Sequence, residues 1–551
     1  MPFYADSTIY FFDFLLFAAS MFFAYAEIHY RIPFLGSRYY KNEPEIIADI
    51  PRRLEPNHRI PLLLIVKDAD KFPVFLETVK LQISGKNDTE LEIGFEINKN
   101  IESTFWERII EVDDKIPFTG LIEISVHIDY KIGDKRLHCI NDNYKRTRPT
   151  PFSIFMADTP LPYARNYLSG DLHVHSSFTD DQLEFGASPE ATAALARAMG
   201  HGFVGITDHS YDLDDLPDNY LINDPVQQKW KKFQKDIAAF NCENKNFVII
   251  PGEEVSCGNA KGENAHFLIF NNSALIPGTG DGGEKWLQFK PDLTISEVIN
   301  KLAKNAACFA SHPESKPPIF QKLLLNRGKW HQQDYRTPGL HGIQIWNGEE
   351  KNSQKTFEIW RHLLLSGQRL FILAGTDAHG NFNRFRQITK PLWEMADDPN
   401  LQIFGSQRSI IYQPEKATPE TLTHALQNGA LAVTSGPFLA LHGQCEMERF
   451  IPMGGEITTA IAQLHLQAIS SPEFGEIKKI ILYRGDLNTQ KEEIIWQKSS
   501  FVDPLKIEER FEVTTEANQL FYYRAELVGE QRMPLKMQAL TNPIWHSLSS
   551  K

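Results

Sequence analysis

Six short segments of the sequence place histidine and carboxylate side chains at or beside the ends of hydrophobic runs that are typical of buried strands. They are SGDLHVHSSFTDD, FVGITDHS, FVIIPGEEVS, NAHFLIF, ACFASHPES and LFILAGTDAHG. In the first segment His173 and His175 are two residues apart, and alternation along an extended strand turns both imidazoles to the same face. Imidazoles and carboxylates without thiolates favour Zn²⁺, Mn²⁺ or Fe over Cu(I) or a structural Cys₄ zinc site. The segments therefore predict a site for divalent metal ions.

The metal-type side chains in these segments also have ordinary explanations. A single histidine beside a strand is more often a core or surface residue, and an Asp after a strand commonly caps the next helix. Those explanations would have to hold independently in all six segments, whereas one shared site accounts for them together. The side chains concerned are His173, His175, Asp180 or Asp181, Asp208, His209, Glu253 or Glu254, His266, His312, Asp377 and His379.

Strand-like and helical segments alternate between about residues 168 and 438. Ser188-Pro189 begins one helical segment, and Thr294 with Glu297 forms a capping box before another. Alternation of this kind is typical of a parallel sheet, and of a barrel in particular. Polar residues at the carboxyl ends of the strands surround the active site of such a barrel, so we expect the six segments to converge.

Strands without intervening helices are predicted on both sides of this region. Residues 60–140 contain short runs such as FLETVKLQIS and LIEISVHIDYKI, separated by polar turns, and similar runs follow residue 438. Repeated short strands with turn signals favour β-sandwich-like modules. The predicted domains are an N-terminal hydrophobic helix and linker at 1–54, a β-rich module at 55–160, a barrel at 161–445 and a C-terminal β-sandwich-like domain at 446–551.

The charge and the cysteine content argue against other classes of protein. The 551 residues include 57 Lys and Arg against 70 Asp and Glu, a net charge of −13. A protein that mainly neutralises nucleic-acid phosphates needs the opposite sign, so nucleic acid is disfavoured as a partner. Five scattered cysteines without a CxxC pair argue against a disulfide framework or a cysteine-based zinc site. They fit a reducing compartment, which predicts a cytoplasmic location.

The segment IYFFDFLLFAASMFFAYA, residues 9–26, has one charged residue, Asp13, and allows two interpretations. Its length is near the lower limit for a membrane span, and the basic residues that follow would then keep the rest of the chain in the cytoplasm. Alternatively it is a buried helix, because Asp13, Ser20 and Glu27 recur every seven residues as a narrow polar stripe. The predicted location is therefore cytoplasmic, with attachment to the inner face of a membrane if residues 9–26 insert.

The order H-x-H…D, T-D-H, P-G-x-E, H, S-H-P and D-x-H resembles the PHP (polymerase and histidinol phosphatase) superfamily. The sequence GTDAH followed by TPETLTHALQNGALAVTSGPF is similar to its CehA/McbA-type metallohydrolase branch. The resemblance covers residues 168–438, about half of the chain. It implies a distorted (β/α)7 PHP barrel, here flanked by N- and C-terminal β-sandwich-like modules in an α/β protein, and about two or three divalent metal ions (Zn, Mn or Fe).

The resemblance also implies which side chains bind the metal ions. Asp180 is preferred to Asp181 because it matches the family's acidic residue after Ser, and Glu254 to Glu253 because the family motif is G-x-E. The implied ligands are His173, His175, Glu254 and Asp377 for one ion; Glu254 as a bridge to a second ion held by His266 and His312; and Asp180, His209 and His379 around a third.

A site in which metal ions share a ligand indicates that the protein is a hydrolase. They would lower the pKa of a bridging water from about 15.7 toward neutrality and so supply a hydroxide nucleophile. They would also polarise the P=O or C=O bond under attack and neutralise the developing negative charge. No Ser or Cys nucleophile is then needed.

Asp208 and Arg384 are the candidate catalytic residues. Asp208 could deliver a proton to the leaving group, or equally fix the tautomer of a histidine as a hydrogen-bond partner. Arg384, in the segment HGNFNRFR with Arg386, and Lys316 could bind a phosphate ester, or belong to solvated surface loops. Trp346 and Asn347 similarly fit either a substrate pocket or, for the Trp, the core.

The predicted function is therefore a metal-dependent hydrolase of a small-molecule ester, with a phosphoester favoured. A carboxyl- or carbamate-ester hydrolase could use the same metal site. In a different class, a membrane-attached scaffold would bind metal in the barrel while the flanking modules carry the biological role. The sequence predicts no particular oligomeric state.

Overall fold

The computed structural model describes residues 43–85, 90–112, 116–144, 149–179, 186–217, 219–278, 280, 289–317, 319–348, 352–383, 402–445, 449–532 and 535–548. The hydrophobic segment 9–26, Asp180, Asp181, Arg384 and Arg386 lie outside these residues. Within the described part of the chain, no helix combines the length and the apolar character that a membrane crossing requires.

The described residues form 31 strands and seven α-helices, so strands dominate. The strands of the first half are β1 Glu45–Asp49, β2 Arg53–Leu54, β3 Ile60–Lys67, β4 Val74–Ser84, β5 Glu90–Ile101, β6 Phe105–Val112, β7 Gly120–Ile132, β8 Lys135–Ile140, β9 Phe152–Met156, β10 Tyr167–His175, β11 Phe203–Ile206, β12 Asp215–Leu216, β13 Asn219–Asn223, β14 Val248–Gly258 and β15 Asn264–Phe270. Those of the second half are β16 Ala307–Ala310, β17 Gly342–Trp346, β18 Phe371–Ala374, β19 Ala378–His379, β20 Arg408–Tyr412, β21 Leu431–Thr434, β22 Phe438–Gln444, β23 Phe450–Ile451, β24 Glu456–Ile457, β25 Ile461–Ile469, β26 Ile477–Asp486, β27 Lys491–Lys498, β28 Lys506–Thr514, β29 Leu520–Arg532, β30 Leu535–Thr541 and β31 Ile544–Ser547. The helices are α1 Pro189–Ala198, α2 Ser210–Leu213, α3 Gln228–Glu243, α4 Ile295–Lys301, α5 Ile319–Leu324, α6 Ser353–Leu365 and α7 Pro419–Gln427, with a short 3₁₀ helix at Asp334–Arg336.

Two of the helix starts show why the local sequence forms helices there. The Ser188 side chain accepts a hydrogen bond from the backbone N–H of Ala191 at the start of α1. At the start of α4, Thr294 and Glu297 form the reciprocal capping box that their spacing predicts. Both of these sequence predictions are confirmed.

Two sheets enclose the core of the N-terminal part. The first has the order β2-β9-β7-β4-β5 with β8 paired to β7, and the second has the order β1-β3-β6. Every second residue of the long strand β4 is buried toward the end of that strand, including Val79, Leu81 and Ile83, and these pack in one cluster with Leu62 and Leu64 of β3. Alternation of buried and exposed positions therefore builds the core between the sheets, as it does in antiparallel sheets with one solvated face.

The largest sheet has 16 strands and runs through the middle and C-terminal parts of the chain. Its strand order is β18-β17-β16-β15-β14-β11-β10-β20-β21-β30-β29-β26-β27. Strands β10, β11 and β14 are parallel, as are β16, β17 and β18, but β14, β15 and β16 pair antiparallel and β10 pairs antiparallel with β20. The sheet is therefore mixed.

The predicted α/β class with a distorted (β/α)7 barrel is wrong, because strands dominate the described residues and the large sheet is mixed. A barrel of that type needs a helix after each strand, but Val248–Gly258 is followed directly by the antiparallel strand Asn264–Phe270. The polar residues Glu253 and Glu254, which the sequence places at a strand end, lie inside this eleven-residue strand. The sheet also continues from β20 and β21 into the C-terminal strands β30 and β29. The helix start and stop signals in the sequence therefore led to a prediction of parallel neighbouring strands. In the structure, β14 and β15 instead form an antiparallel hairpin.

Side chains from β20 and from the turn after β30 form hydrogen bonds with the free edge of β18. The Ser409 hydroxyl accepts from the N–H of Ala374 at 3.0 Å and donates to its C=O at 2.9 Å. The Asn542 amide does the same for Ile372, at 2.8 and 3.0 Å. Two polar side chains thus satisfy a strand edge that, among the described residues, has no second strand paired to it.

A four-stranded sheet of order β23-β22-β25-β28 packs against the C-terminal strands of the large sheet. Leu439 and Leu441 of β22 and Leu464 of β25 are buried in one cluster with Ile480 of β26 and Ala539 of β30. The predicted division of the chain into four domains stays a prediction.

Candidate metal centre

The structure brings together the eight candidate ligands that it describes. They come from strands β10, β14, β15 and β19 and from the loops that follow β11, β16 and β18 in the large sheet. These eight residues are His173, His175, His209, Glu254, His266, His312, Asp377 and His379.

The carboxylate of Glu254 is at the centre of this group and is fully buried. Its Oε2 atom lies 3.4 Å from Nε2 of His173 and 3.5 Å from Nε2 of His175. The same oxygen lies 3.3 Å from Nδ1 of His209. One oxygen therefore faces three imidazole nitrogens, two from strand β10 and one from the loop after β11.

The other oxygen of Glu254 faces a second set of groups. Its Oε1 atom lies 3.0 Å from Nδ1 of His266 and 3.0 Å from Nε2 of His312. The hydroxyl of Ser311 donates a hydrogen bond to Oε1 at 2.6 Å. Glu254 therefore separates two sets of histidines, the position that a bridging carboxylate occupies in a two-metal site.

Asp377 completes the side of the group near His173 and His175. Its Oδ1 atom lies 3.2 Å from Nε2 of His173 and 3.0 Å from Nε2 of His175. Asp377 has a φ of 57°, an uncommon conformation for a residue other than glycine, and its N–H donates to the C=O of His173 at 2.7 Å. A Cβ at Gly375 would lie 2.5 Å from the backbone N of His173, so the close approach of these segments requires glycine.

His379 joins the group through the short strand β19. The parallel register of β19 with β10 pairs His175 with His379, and their rings stack with centroids 4.1 Å apart at 6°. The Nδ1 atom of His379 lies 3.1 Å from the C=O of Asp377. If Nδ1 carries the proton and donates it to that carbonyl, the Nε2 atom of His379 has the lone pair that can bind a metal ion.

The residues present fit divalent metal ions. Three sets of ligand atoms each lie within 4.8 Å of one another: His175, His209 and His379; His173, His175, Glu254 and Asp377; and His209, Glu254 and His266. Nδ1 of His209 and Oε2 of Glu254 are buried without a hydrogen-bond partner. Buried acceptors that face one another are costly unless a cation lies between them. The sets contain nitrogen and oxygen donors without sulfur, which suits Zn²⁺, Mn²⁺ or Fe.

Gln344 holds two members of the group in place. Its Oε1 atom lies 3.1 Å from Nδ1 of His173 and accepts from the N–H of His312 at 3.0 Å. Donation from Nδ1 of His173 leaves the Nε2 lone pair directed at Asp377 and Glu254, as a metal-binding histidine requires. Gln344 is a polar residue inside the buried strand GIQIW, and this is the signal that could have identified it from the sequence.

Burial and neighbouring charges shift the pKa values of the histidines and of Glu254. Burial lowers the pKa of His175, and the nearby His379 lowers it further; burial also lowers the pKa of His209 and His312. Burial acts in the same direction on His173, but Asp377 and Glu254 outweigh it and raise that pKa to about 9. Despite burial, His266 and His173 hold the pKa of Glu254 well below its usual value. Charged carboxylates beside the neutral imidazoles of His175, His209 and His312 are the protonation states that metal ligands need, whereas His173 would release a proton when a metal ion binds.

The alternation along β14 decides between the two neighbouring glutamates. Glu253 points to the opposite face from Glu254, where it accepts hydrogen bonds from the Ser210 hydroxyl at 3.0 Å and from the N–H of Ile276 at 3.2 Å. Burial raises the pKa of Glu253 to about 8. The structure therefore places Glu254, and not Glu253, among the candidate ligands.

Asp208 lies outside the group of candidate ligands. Its two oxygens accept from the N–H and the hydroxyl of Ser176, each at 2.6 Å, and from the N–H of Thr179 at 3.1 Å. Thr179 in turn has its hydroxyl 3.3 Å from Nδ1 of His175. Asp208 therefore holds the loop after β10 and, through Thr179, supports His175, while its predicted role as a proton donor stays a prediction.

The residues that the sequence suggested for substrate binding lie in different surroundings. Arg384 lies outside the described residues, Lys316 is exposed, and Trp346 is buried in the main hydrophobic cluster. Asn347 accepts from the Gln344 side chain at 2.6 Å and donates to Oδ2 of Asp377 at 3.2 Å. The structure thus assigns Asn347 to the support of Asp377 and Trp346 to the core.

Sequence reasoning missed two side chains that border the group. Nη2 of Arg327 lies 3.1 Å from Nδ1 of His266, and the ring of Tyr211 stacks on His209 with centroids 4.5 Å apart. Tyr211 follows the TDHS motif directly, so its position was a usable signal. Arg327 is 61 residues from His266 in a segment without metal-type residues, and no local pattern marks it.

No model of a protein family and no curated protein matches the chain. Among solved structures, a β-glucuronidase of Bacteroides uniformis is 8% identical, with 92% of this chain and 61% of that chain covered and a TM-score of 0.17. A glycosyl hydrolase family 2 member of Bacteroides cellulosilyticus is 12% identical, with 92% and 63% covered and a TM-score of 0.17. A putative β-galactosidase of Bacteroides fragilis is 8% identical, with 92% and 74% covered and a TM-score of 0.17. The chain thus spans about three fifths of the length of the first two, and TM-scores this low carry no argument about fold or activity.

Proposed function

We propose that the protein is a metal-dependent hydrolase of phosphoesters that holds about two or three divalent ions, Zn, Mn or Fe, around Glu254. The observation that carries the proposal is the contact of one buried carboxylate with five histidine nitrogens at 3.0–3.5 Å. The order of the motifs, which resembles that of the PHP superfamily and its CehA/McbA-type branch, supports the same proposal.

The overlap of the ligand sets supports more than one ion. Glu254 belongs both to the set with His173, His175 and Asp377 and to the set with His209 and His266. When bound, ions that share a carboxylate lower the pKa of a coordinated water and neutralise negative charge on the ester under attack.

The chain's own residues would keep this site rigid and dry. Ser311 fixes one oxygen of Glu254, and Gln344 orients His173. His173 and His175 are fully buried, which excludes bulk water from that side of the group. Charge interactions are stronger in such surroundings than in water.

Arg327 supports an anionic substrate over a neutral one. Its guanidinium lies beside His266, where its positive charge borders the candidate ligands. Arginine donors match the geometry of phosphate oxygens, whereas a neutral carboxyl or carbamate ester has no need of a fixed cation. A phosphoester is therefore the favoured substrate class.

The adjacent glutamates of β14 supply a matched test. We expect Glu254→Gln to lose metal in elemental analysis and to lose hydrolysis of bis-p-nitrophenyl phosphate in the presence of Mn²⁺ or Zn²⁺. Glu253→Gln is the control, because it changes the same functional group on the opposite face of the strand and keeps the shape of a carboxyl that burial favours in its neutral form. Equal metal content in both variants would contradict the proposed site.

The substrate class is tested separately with p-nitrophenyl phosphate, bis-p-nitrophenyl phosphate and p-nitrophenyl acetate. Turnover of a phosphate substrate that falls on Arg327→Met, with acetate turnover unchanged, supports a phosphoesterase. Turnover of the acetate alone contradicts the phosphoester assignment and favours the carboxyl-ester alternative. Metal binding without turnover of any ester contradicts the proposed hydrolase and favours the metal-binding scaffold.

A further inference from the structure

A second buried charged cluster uses none of the candidate metal ligands. It forms where β2, the end of α1, the start of β20 and the turn before β26 meet. We call it the arginine cluster, and it consists of Arg52, Arg53, Arg408, His201, Glu55 and Glu473.

Arg53 is the most enclosed member, with 1% of its surface exposed. Its Nε atom donates to both oxygens of Glu473 at 3.1 Å, and its Nη1 atom donates to Oε1 of Glu55 and to the C=O of Met199, each at 2.5 Å. Its Nη2 atom is buried and has no hydrogen-bond partner among the described residues. A guanidinium donor without a partner in a buried position costs free energy.

Arg408 approaches the same turn from β20 and is 2% exposed. Its Nη2 atom donates to the C=O of Gly436 at 2.7 Å, and its guanidinium lies 5.2 Å from the ring centroid of Phe474. Phe474 follows Glu473, the partner of Arg53, so one turn contacts both arginines. The Nε atom of Arg408 is a second buried donor without a partner in the described structure.

His201 closes the cluster on the side of the loop before β20. Its Nδ1 atom lies 3.3 Å from the Ser169 hydroxyl, while its buried Nε2 atom has no hydrogen-bond partner within the described residues. A Cβ at Gly405 would lie 2.6 Å from that Nε2 atom, and Gly405 has a φ of 66°, so this close approach needs glycine. Burial and the neighbouring arginines hold the pKa of His201 well below its usual value, so the imidazole is neutral near pH 7.

The charges in the cluster do not balance. Among the described residues, three arginines face two carboxylates, and the neutral His201 adds no charge, which leaves one positive charge in excess. Arginine cannot release its proton under ordinary conditions, and an uncompensated buried charge is strongly unfavourable. Burial lowers the pKa of Arg408 to about 9, and the charges of Arg52 and Arg53 act in the same direction.

We propose that the arginine cluster is a binding site for a small oxyanion of the phosphate class. Nη2 of Arg53, Nε of Arg408 and Nε2 of His201 are the donors that would meet its oxygens, and the half-buried side chain of Arg52 provides the approach from solvent. Because the cluster joins the N-terminal sheet, α1 and the C-terminal strands, the bound anion would tie these three parts together. The proposal does not depend on the proposed hydrolase activity.

The test is whether the full chain binds inorganic phosphate. Binding is measured in two ways at constant ionic strength: by isothermal titration calorimetry and by the midpoint of thermal unfolding. Phosphate also binds to metal centres, so both measurements are repeated in Glu254→Gln. We expect a saturable rise in the midpoint that persists in this variant, with sulfate acting like phosphate and acetate acting more weakly. No saturable effect, or an effect lost in Glu254→Gln, would overturn the proposal.

Two substitutions that should change the phosphate affinity in opposite directions make the test specific. Arg52→Gln removes one positive charge at a half-buried side chain, and we expect phosphate affinity to fall at least about tenfold. The unfolding midpoint without phosphate checks that this variant is folded. Glu473→Gln removes a competing negative charge, and we expect affinity to rise. Arg369→Gln is the control, since Arg369 is a surface arginine paired with Glu456. An equal response of Arg52→Gln and Arg369→Gln, or weaker binding in Glu473→Gln, contradicts the proposal.

A phosphate monoester distinguishes free phosphate from a phosphorylated metabolite as the natural ligand. Glycerol phosphate that binds more tightly than inorganic phosphate supports a site for a phosphorylated molecule, and weaker binding supports inorganic phosphate. The arginine cluster would recognise the same phosphoryl group in both cases.

Discussion

The group around Glu254 and the arginine cluster are both buried and both assemble residues that are distant in the sequence, but their unpartnered atoms have opposite character. Around Glu254 the buried atoms without hydrogen-bond partners include Nδ1 of His209 and Oε2 of Glu254. In the arginine cluster they include guanidinium donors of Arg53 and Arg408. The first arrangement is complementary to a cation and the second to an anion, which teaches that the sign of the unpartnered groups identifies the class of ligand.

The two clusters also differ in how the fold supports them. The candidate metal ligands project from adjacent strands of one sheet, and side chains such as Gln344 and Ser311 fix their orientation. The arginine cluster joins three separate parts of the chain, and its hydrogen bonds run between them. Substitutions in the first cluster should therefore affect chemistry, and those in the second should affect the association of these parts.

The largest expected effect comes from Asp377→Ala. This change removes a carboxylate oxygen that lies 3.0–3.2 Å from two histidines, and we expect metal content to fall and ester hydrolysis to decrease by more than about 100-fold. Elemental analysis and steady-state kinetics measure both. Phosphate binding at the arginine cluster should be unchanged, which separates the two sites; loss of phosphate binding together with metal would contradict their independence.

Gln344→Ala is expected to have a smaller effect on the same group. It removes the acceptor for Nδ1 of His173 and for the N–H of His312, and loss of such a supporting hydrogen bond typically weakens metal affinity by about 10–100-fold. Competition with a chelator measures the affinity. Gln344→Glu retains the acceptor oxygen and should lose less; equal losses in the two variants would show that this hydrogen bond does not orient the histidine.

The candidate ligands could be predicted from the sequence because each lies in a short motif beside a hydrophobic run. The structure brings eight of the nine together, while their role as ligands stays a prediction and Asp180 lies outside the described residues. The choice of Glu254 over Glu253 rested on the family motif, and in the structure the alternation along β14 gives the same choice. The type of a residue and its place on a strand are local properties, and local properties can be read from sequence.

The fold and the arginine cluster could not be predicted in this way. Strand β15 pairs antiparallel with β14 and also with β16, which is distant in sequence, and no local pattern marks the second pairing. The helix signals elsewhere in the sequence therefore led to the wrong prediction of a barrel. Arg52, Arg53 and Arg408 lie in unremarkable local sequence, and their excess charge arises only when three parts of the chain meet. Arg327 was missed for the same reason.

Asp208→Asn distinguishes positioning from catalysis. The carboxylate accepts three hydrogen bonds in the loop after β10, and an amide replaces one acceptor oxygen with a donor that faces them. We expect a loss of about 1–2 kcal/mol in the free energy of unfolding, measured by urea denaturation, with metal content retained. A large fall in kcat with metal content retained would instead indicate that Asp208 takes part in catalysis.

The smallest expected effect is the pH dependence that His201 gives to stability. Burial and Arg408, with Arg53 and Arg52, lower its folded pKa well below 6.5, so below about pH 6.5 the unfolded chain binds a proton that the folded chain does not. Stability from this group is complete above pH 6.5 and is lost as the pH falls, by about 1 kcal/mol between pH 7 and pH 5.5. Urea denaturation of the wild type and of His201→Gln at both pH values isolates this contribution, which the variant should lack. Saturating phosphate should reduce the difference, because an anion beside His201 favours its protonated form; a difference that phosphate leaves unchanged would show that no anion binds next to this histidine.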